Sequence, residues 1–284
     1  MTAKYFDGWM PPNWRWTNSG DLEAENYRKR VEVLKGRGLA ENFFTSSSVE
    51  ALTGWVGIGH VSPLNPESDD NIQPVCVNGD VKVALGYNGK VLNCNELTGE
   101  KVSGDGDPMA IATALAENLK HSDPLEAMET LMEKMRGAYS LVALTDKGEM
   151  IVARDPKGIK PLVIGSFGFD HGTVASESAA IDVVGADLKA DVMPGEIYVI
   201  TPYSIERKRV CREEEKYCAF EYVYLCRPDS VINGMSIYEV RMKIGEYLAR
   251  EFPVDADVVI GVPETAIPFA MAYSNATGIP IHMG

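Results

Sequence analysis

Residues 218–230 read Cys218-Ala219-Phe220-Glu221-Tyr222-Val223-Tyr224-Leu225-Cys226-Arg227-Pro228-Asp229-Ser230, a run too idiosyncratic to be a requirement of simple packing. The chain changes character across it. On its N-terminal side lie short strand-like runs, Val81–Tyr87, Tyr139–Leu144, Met150–Arg154, Pro161–Gly165 and Glu196–Thr201, bounded by Gly, Asp-Lys or Pro signals. Two amphipathic helices interrupt them. Pro108–Leu119 and Pro124–Met135 carry apolar residues at three- and four-residue intervals, with Asp107 and Asp123 placed to cap the first free amides. The charged stretch Ile205–Lys216 reads as a surface strand or linker. On the C-terminal side a helix, Met235–Phe252, precedes a buried strand, Asp257–Val262, and a second helix, Ile267–Thr277. That is the first β-α step of a parallel sheet, and such a step cannot bury its own faces. Within the run itself, Arg227 and Asp229 are placed to tie the join, and Pro228 to fix its turn.

At 284 residues the chain has room for one large domain or two smaller ones. It contains no apolar run long enough to cross a bilayer and no signal-peptide pattern, so a cytoplasmic protein is expected. The formal net charge of −14 argues against nucleic acid as a partner, because a phosphate backbone is met by clustered Lys and Arg. The five cysteines, Cys76, Cys94, Cys211, Cys218 and Cys226, show no Cys-x-x-Cys spacing. They read as reduced thiols, with no disulfide framework, no closed metal site and no cofactor.

Further blocks extend from the opening run in both directions. Lys35-x-x-Gly38-Leu39 leads to Leu52-x-Gly54-x-x-Gly57-Ile58-Gly59-His60, then Gln73-Pro74 and Tyr87-Asn88-Gly89-x-x-x-Asn93-x-x-Glu96-Leu97. Gly137-Ala138-Tyr139-Ser140, Arg154-Asp155-Pro156-Lys157-Gly158-Ile159-Lys160-Pro161-Leu162, Ala175-Ser176-Glu177-Ser178 and Pro194-Gly195-Glu196 follow, and Val262-Pro263-Glu264-Thr265 and Gly278-Ile279-Pro280 close the series. In this order they resemble the amidophosphoribosyltransferase (glutamine phosphoribosylpyrophosphate amidotransferase) family, whose N-terminal half is a class II glutamine amidotransferase. The resemblance implies an α+β architecture, a four-layer αββα sandwich of the N-terminal-nucleophile-hydrolase type. An incomplete α/β phosphoribosyltransferase-like segment follows it. The implied organisation is an arm over residues 1–20, the amidotransferase-like domain over 21–205, a linker over 206–234 and the partial second unit over 235–284. The chain reads as a degenerate, C-terminally truncated copy.

The site residues carry over one at a time. The family's nucleophile is a cysteine at the mature N-terminus, its own α-amine acting as base. Here the first cysteine is Cys76, which sits in a strand pattern after Gln73-Pro74 and reads as a small buried side chain. Thr2, exposed if Met1 is removed, is the substitute nucleophile; alternatively, residues 2–20 are an arm covering the place of a lost strand, with Trp9, Trp14 or Trp16 on apolar surface near Asn88. Asn88 and Gly89 match the family's oxyanion pair, or form a tight type I′ turn, as Asn-Gly favours. Asp105 matches the aspartate that meets the substrate ammonium, or is a turn residue among glycines. The arginine that grips the substrate carboxylate is replaced by Ser62, and a hydroxyl cannot make that charge-assisted pair, worth about 1.5–3 kcal/mol. Cys218 stands where iron–sulfur members of the family supply one thiolate, while the other ligands and the phosphate-cradling loop fall beyond Gly284.

The expected function is therefore a non-catalytic or subunit-type paralogue in the purine-biosynthesis family, a pseudoenzyme. It would assemble as a homo-oligomer, or with a second protein, through residues 235–284. The other expectation is an active chain, either the glutaminase part of a split amidophosphoribosyltransferase or a Thr2-dependent amidohydrolase.

Overall fold

The computed structural model describes residues 2–5 (backbone only), 31–52, 54–62, 71–99, 107–168, 171–210 and 213–283. The chain opens with β1 (Thr2–Tyr5), two short helices α1 (Ala40–Phe43) and α2 (Ser46–Glu50), then β2 (Val56–Gly59), β3 (Val75–Val77) and β4 (Val83–Val91). A short helix α3 (Cys94–Thr98) leads to the longer α4 (Asp107–Asn118) and α5 (Pro124–Lys134). Next come β5 (Gly137–Thr145), β6 (Met150–Arg154), β7 (Val163–Phe167), β8 (His171–Ala175), α6 (Ser178–Val183), β9 (Asp187–Asp191), β10 (Glu196–Ile200) and β11 (Ile205–Arg209). A π-helical turn, Glu221–Leu225, precedes β12 (Val231–Ile232), β13 (Met235–Ser236), α7 (Ile237–Glu251), β14 (Val259–Ile260), α8 (Ile267–Thr277) and β15 (Ile281–His282).

The strands make two antiparallel sheets, one in the order β2-β1-β8-β7-β9 and one in the order β11-β10-β6-β5-β4-β3. Three apolar layers stack them. Leu85, Tyr139, Leu141 and Ile151 of the six-stranded sheet pack under α4 and α5 through Ile111, Leu115, Met128 and Leu131. The alternate positions Val142, Met150 and Val152 meet Val174, Val56 and Ile58 of the five-stranded sheet. Val163 and Ala175 then face Ile181 of α6. This is the αββα sandwich that the residue blocks imply. Because β5, β6 and β10 are covered on both faces, their sequences run apolar without alternating.

Several local expectations change. Asp123 caps α5 as read, its Oδ1 accepting the Leu125 and Glu126 amides at 3.0 Å. Asp107 does not cap in this way: its carboxylate accepts the Val91 N–H at 3.2 Å and the Lys90 ammonium at 2.9 Å, both on β4. A buried carboxylate is better satisfied by a strand amide and a cation than by the partly solvated amides of a helix end. The charged stretch after Ile205 begins as a true edge strand, β11 pairing with β10 from Ile205 to Arg209. Helix α7 starts at Ile237, because Met235 and Ser236 pair back on Val231 and Ile232 around Asn233-Gly234, both at positive φ. Strand β14 pairs in parallel with β15, as a β-α step should. It is only two residues long and not buried, with Ile260 53% and Val262 74% exposed. Among the described residues, no helix is long and apolar enough to cross a membrane.

Candidate active site

Two strands of the sandwich carry the residues singled out above. The first is the head of β1. Thr2 is in register with Gly59 of β2 on one side and Ala175 of β8 on the other, while Ala3 is in register with Ile58 and Val174. Residues 2–5 therefore occupy a strand position between β2 and β8. The arm was expected to cover a lost strand, but its first residues are themselves a strand, because open ladder groups on both neighbours are satisfied by backbone alone, whatever the side chains. Trp9, Trp14 and Trp16 lie outside the described residues, as does Asp105.

The next residue after Gly59 is His60. Burial lowers its imidazole from the ordinary 6.5 to about 4, and its buried Nδ1 has no hydrogen-bond partner among the described residues. Beyond it the chain emerges: Val61 is 75% exposed and Ser62 is exposed too. Nothing cationic stands at that position.

The second is β4, against which β2 packs. Asn88 and Gly89 are not a turn. They lie within a nine-residue strand, Asn88 opposite Ser140 and Gly89 opposite Tyr139 of β5. Gly89 has φ +150° and a Cβ there would run into the Ala138 carbonyl; Gly137, φ +154°, meets the Lys90 carbonyl in the same way. The two strands approach so closely that only glycine fits. Around this point the backbone is held by side chains. The Tyr87 N–H donates to Gln73 Oε1 at 2.6 Å, and Asp107 takes the Val91 amide. Asn93 accepts the Arg136 N–H at 2.9 Å and donates to the Lys134 carbonyl at 2.9 Å. Under the strand, burial and the Asp107 carboxylate push the Tyr87 phenol up, and push the Cys94 thiol up to about 12. Cys76 lies in β3, where burial raises its thiol too, as suits a structural side chain.

Sequence reasoning missed a third cluster, at the join. Arg154 is fully buried and donates to the carbonyls of Lys160 (2.8 Å), Val192 (2.6 Å) and Gly158 (2.8 Å), and to Asn233 Oδ1 at 3.3 Å. Asp155 beside it accepts amides from Tyr139, Lys157 and Ile159. Lys160 pairs with Glu221 of the π-helical turn at 2.9 Å. On α7, buried Arg241 holds the carbonyls of Tyr222 and Cys226 at 2.8 and 2.7 Å. The opening stretch is therefore a strap, fastened at both ends. Its Arg227–Asp229 pair, expected to tie the join, is bidentate but more than half exposed on both sides, and contributes little. The available signal was the adjacent Arg154-Asp155 at the end of an apolar strand, since such charges are buried only when fully bonded. Cys218 lines a small crevice over Arg154 with Tyr217, Glu221 and Tyr222. No cluster of potential metal ligands gathers there or elsewhere among the described residues, which by themselves do not fit an iron–sulfur centre.

The stacked sheets, the strand heading the chain and the Asn88-Gly89 strand define a class II glutamine amidotransferase domain of the N-terminal-nucleophile fold. A family model for the glutamine amidotransferase domain matches residues 61–183. The amidophosphoribosyltransferase of Mycobacterium bovis is 37% identical over 271 residues, covering 90% of this chain and 51% of the relative. That of Methanocaldococcus jannaschii is 35% identical over 284 residues, covering 90% and 59%. The solved glutamine phosphoribosylpyrophosphate amidotransferase from B. subtilis, complexed with ADP and GMP, superimposes with a TM-score of 0.77 at 34% identity, covering 87% of this chain and 55% of that one. The chain belongs to the amidophosphoribosyltransferase family. It spans about half the length of the curated relatives it matches.

Proposed function

We propose that this is a cytoplasmic, purine-biosynthesis member of its family that does not hydrolyse glutamine and serves as a non-catalytic subunit. The observation that carries the reading is the pair of changes at the two places where glutamine would be gripped and attacked. Ser62 stands exposed in the arginine position, and the strand between β2 and β8 carries Thr2, Ala3, Lys4 and Tyr5 but no cysteine. The oxyanion strand persists, as it must for packing: Gly89 is required by the closeness of β5 whatever chemistry is left. Keeping half of a site is what a fold does when only the fold is needed.

The C-terminal segment supports the subunit role. Val258, Ile260, Val262, Ile281 and Met283 on and beside the β14–β15 pair are all more than a third exposed among the described residues. Apolar surface of that kind marks an interaction face. Residues 235–283 are proposed to associate with a second copy or a second protein.

One observation favours the other reading. Thr2 heads a strand inside the sheet, where an N-terminal nucleophile would be placed, so a Thr2-dependent amidohydrolase, or the glutaminase part of a split enzyme, is the competing assignment. Ammonia release and glutamine calorimetry on the purified chain decide between them. The expected result is no ammonia above a Thr2→Ala control and no affinity better than millimolar. Micromolar binding, or release that Thr2→Ala abolishes, overturns the subunit reading.

A further inference from the structure

Glu177 follows Ala175, the register partner of Thr2, by two residues and stands at the N-cap position of α6 in extended conformation. A short Asp, Asn, Ser or Thr side chain there accepts the first helix amides. Glu177 makes no such bond. Its Oε2 instead accepts the Arg227 N–H at 2.9 Å and the Ser230 hydroxyl at 2.8 Å, fifty and more residues away. Ser178 continues the contact, its Oγ accepting the Val231 N–H at 2.7 Å. Ser230 is fully buried, and its carbonyl receives the Ile237 N–H, the first amide of α7, at 2.9 Å. Arg241, one turn further along α7, holds the strap from the other side. A line of hydrogen bonds thus runs from α7 through Ser230 to Glu177, which the chain itself joins through Ser176 to the end of β8. Other polar contacts of the join reach the sandwich elsewhere: Arg154 of β6 with Asn233, Lys160 ahead of β7 with Glu221, the Asn233 N–H with Asp191 Oδ1 of β9 at 3.1 Å, and the Ala179 N–H of α6 with Ser230 Oγ at 3.4 Å.

We infer that Glu177 is a positioning residue that couples the C-terminal segment to the head of the N-terminal strand: displacement of residues 226–241 is transmitted to the Thr2–Gly59–Ala175 ladder. The coupling does not depend on what becomes of glutamine, because it rests on strand pairing and carboxylate bonds alone. It makes the join an element by which a partner on residues 235–283 changes the site end of the sandwich.

Hydrogen exchange read by mass spectrometry on the full chain tests this. Loss of a charged acceptor with two partners shifts a local opening equilibrium by about tenfold to a hundredfold. In Glu177→Ala, exchange is expected to quicken by about that factor in residues 226–231 and also in residues 2–5 and 57–60, with residues 128–132 of α5 unchanged. Ser230→Ala, which removes the hydroxyl's bonds to Glu177 and to the Ala179 N–H but leaves the Arg227 N–H on Glu177, is expected to move the same two regions by a smaller factor and stands in if Glu177→Ala does not fold. Asp229→Ala is expected to move neither. Faster exchange at 226–231 with residues 2–5 unchanged, a wild-type β1 that exchanges as fast as unprotected chain, or an equal effect from Asp229→Ala each overturns the coupling.

Discussion

The sandwich and the segment after the strap are built from residues of much the same kind and end in opposite states. In the centre of the sandwich both faces of β5 and β6 meet another layer, so Leu141, Val142, Ile151 and Val152 are wholly buried although they point alternately up and down. In the segment, Val259 and Ile260 form an equally apolar strand, yet Ile260 is half exposed and Val262 more so, because α7 and α8 pack chiefly on each other. Gly245 lets them approach until a Cβ there would meet the Phe269 carbonyl. The difference teaches that apolar composition alone does not make a core. A strand is buried by the number of layers that topology brings to it, and a single β-α step brings one.

The most damaging way to break the contrast is at Arg154, a fully buried charge that bonds both the sandwich and Asn233 beyond the strap. Arg154→Ala is expected to lower unfolding stability by about 4 kcal/mol, because three carbonyls lose their donor in a dry site. Urea unfolding measures it, and a loss below 1 kcal/mol shows the cluster is not what joins the two. Gly89→Ala comes next, at roughly 3 kcal/mol, from a positive-φ position where the new Cβ meets backbone that cannot move aside. Near-wild-type stability there would mean that β4 and β5 can part, and the Asn88-Gly89 strand would then be a malleable feature.

His60 sharpens the comparison within the sandwich, since it sits where closed core gives way to the exposed Val61-Ser62. Its folded value near 4 is below the ordinary 6.5, so the folded protein binds fewer protons than the unfolded chain between those values. The stability it contributes is complete above about pH 6.5 and is lost as pH falls towards 4. His60→Asn is expected to lose less stability than the wild type between pH 7 and pH 4.5, measured by urea midpoints. Equal slopes would place His60 in water. The smallest effect on folding is expected at Val262→Asp, within about 0.5 kcal/mol because the side chain has little packing to lose. The same change is expected to weaken association, read by light scattering. A wild-type chain that stays monomeric at micromolar concentration removes self-association through this face and leaves a second protein as its partner.

Some elements could be read with their true bounds. Strand Met150–Arg154 and helix Ile267–Thr277 agree residue for residue with the pattern, the helix because Pro268 opens it and Gly278, in left-handed conformation, closes it. Others could not be read, and the Asn-Gly dipeptides show why. Asn233-Gly234 is a hairpin turn with both residues at positive φ, whereas Asn88-Gly89 runs straight through the longest ladder of the molecule. Both dipeptides have the same local preference. At residues 88–89 that preference is worth less than the ladder bonds and buried neighbours that β5 supplies from fifty residues away.

By itself, then, the sequence determined the periodicities, the order of blocks, the fold class and the changed residue at 62, all of which are local or written position by position. Only the tertiary structure decided that Asp107 serves β4 and not its own helix, that residues 2–5 pair between β2 and β8, that Glu177 reaches the strap, and that Asn88-Gly89 does not turn. In each of these a backbone or side-chain group had a local partner available and took a distant one. The distant partner wins where it is buried, because an unsatisfied polar group out of water costs more than a local turn or cap returns.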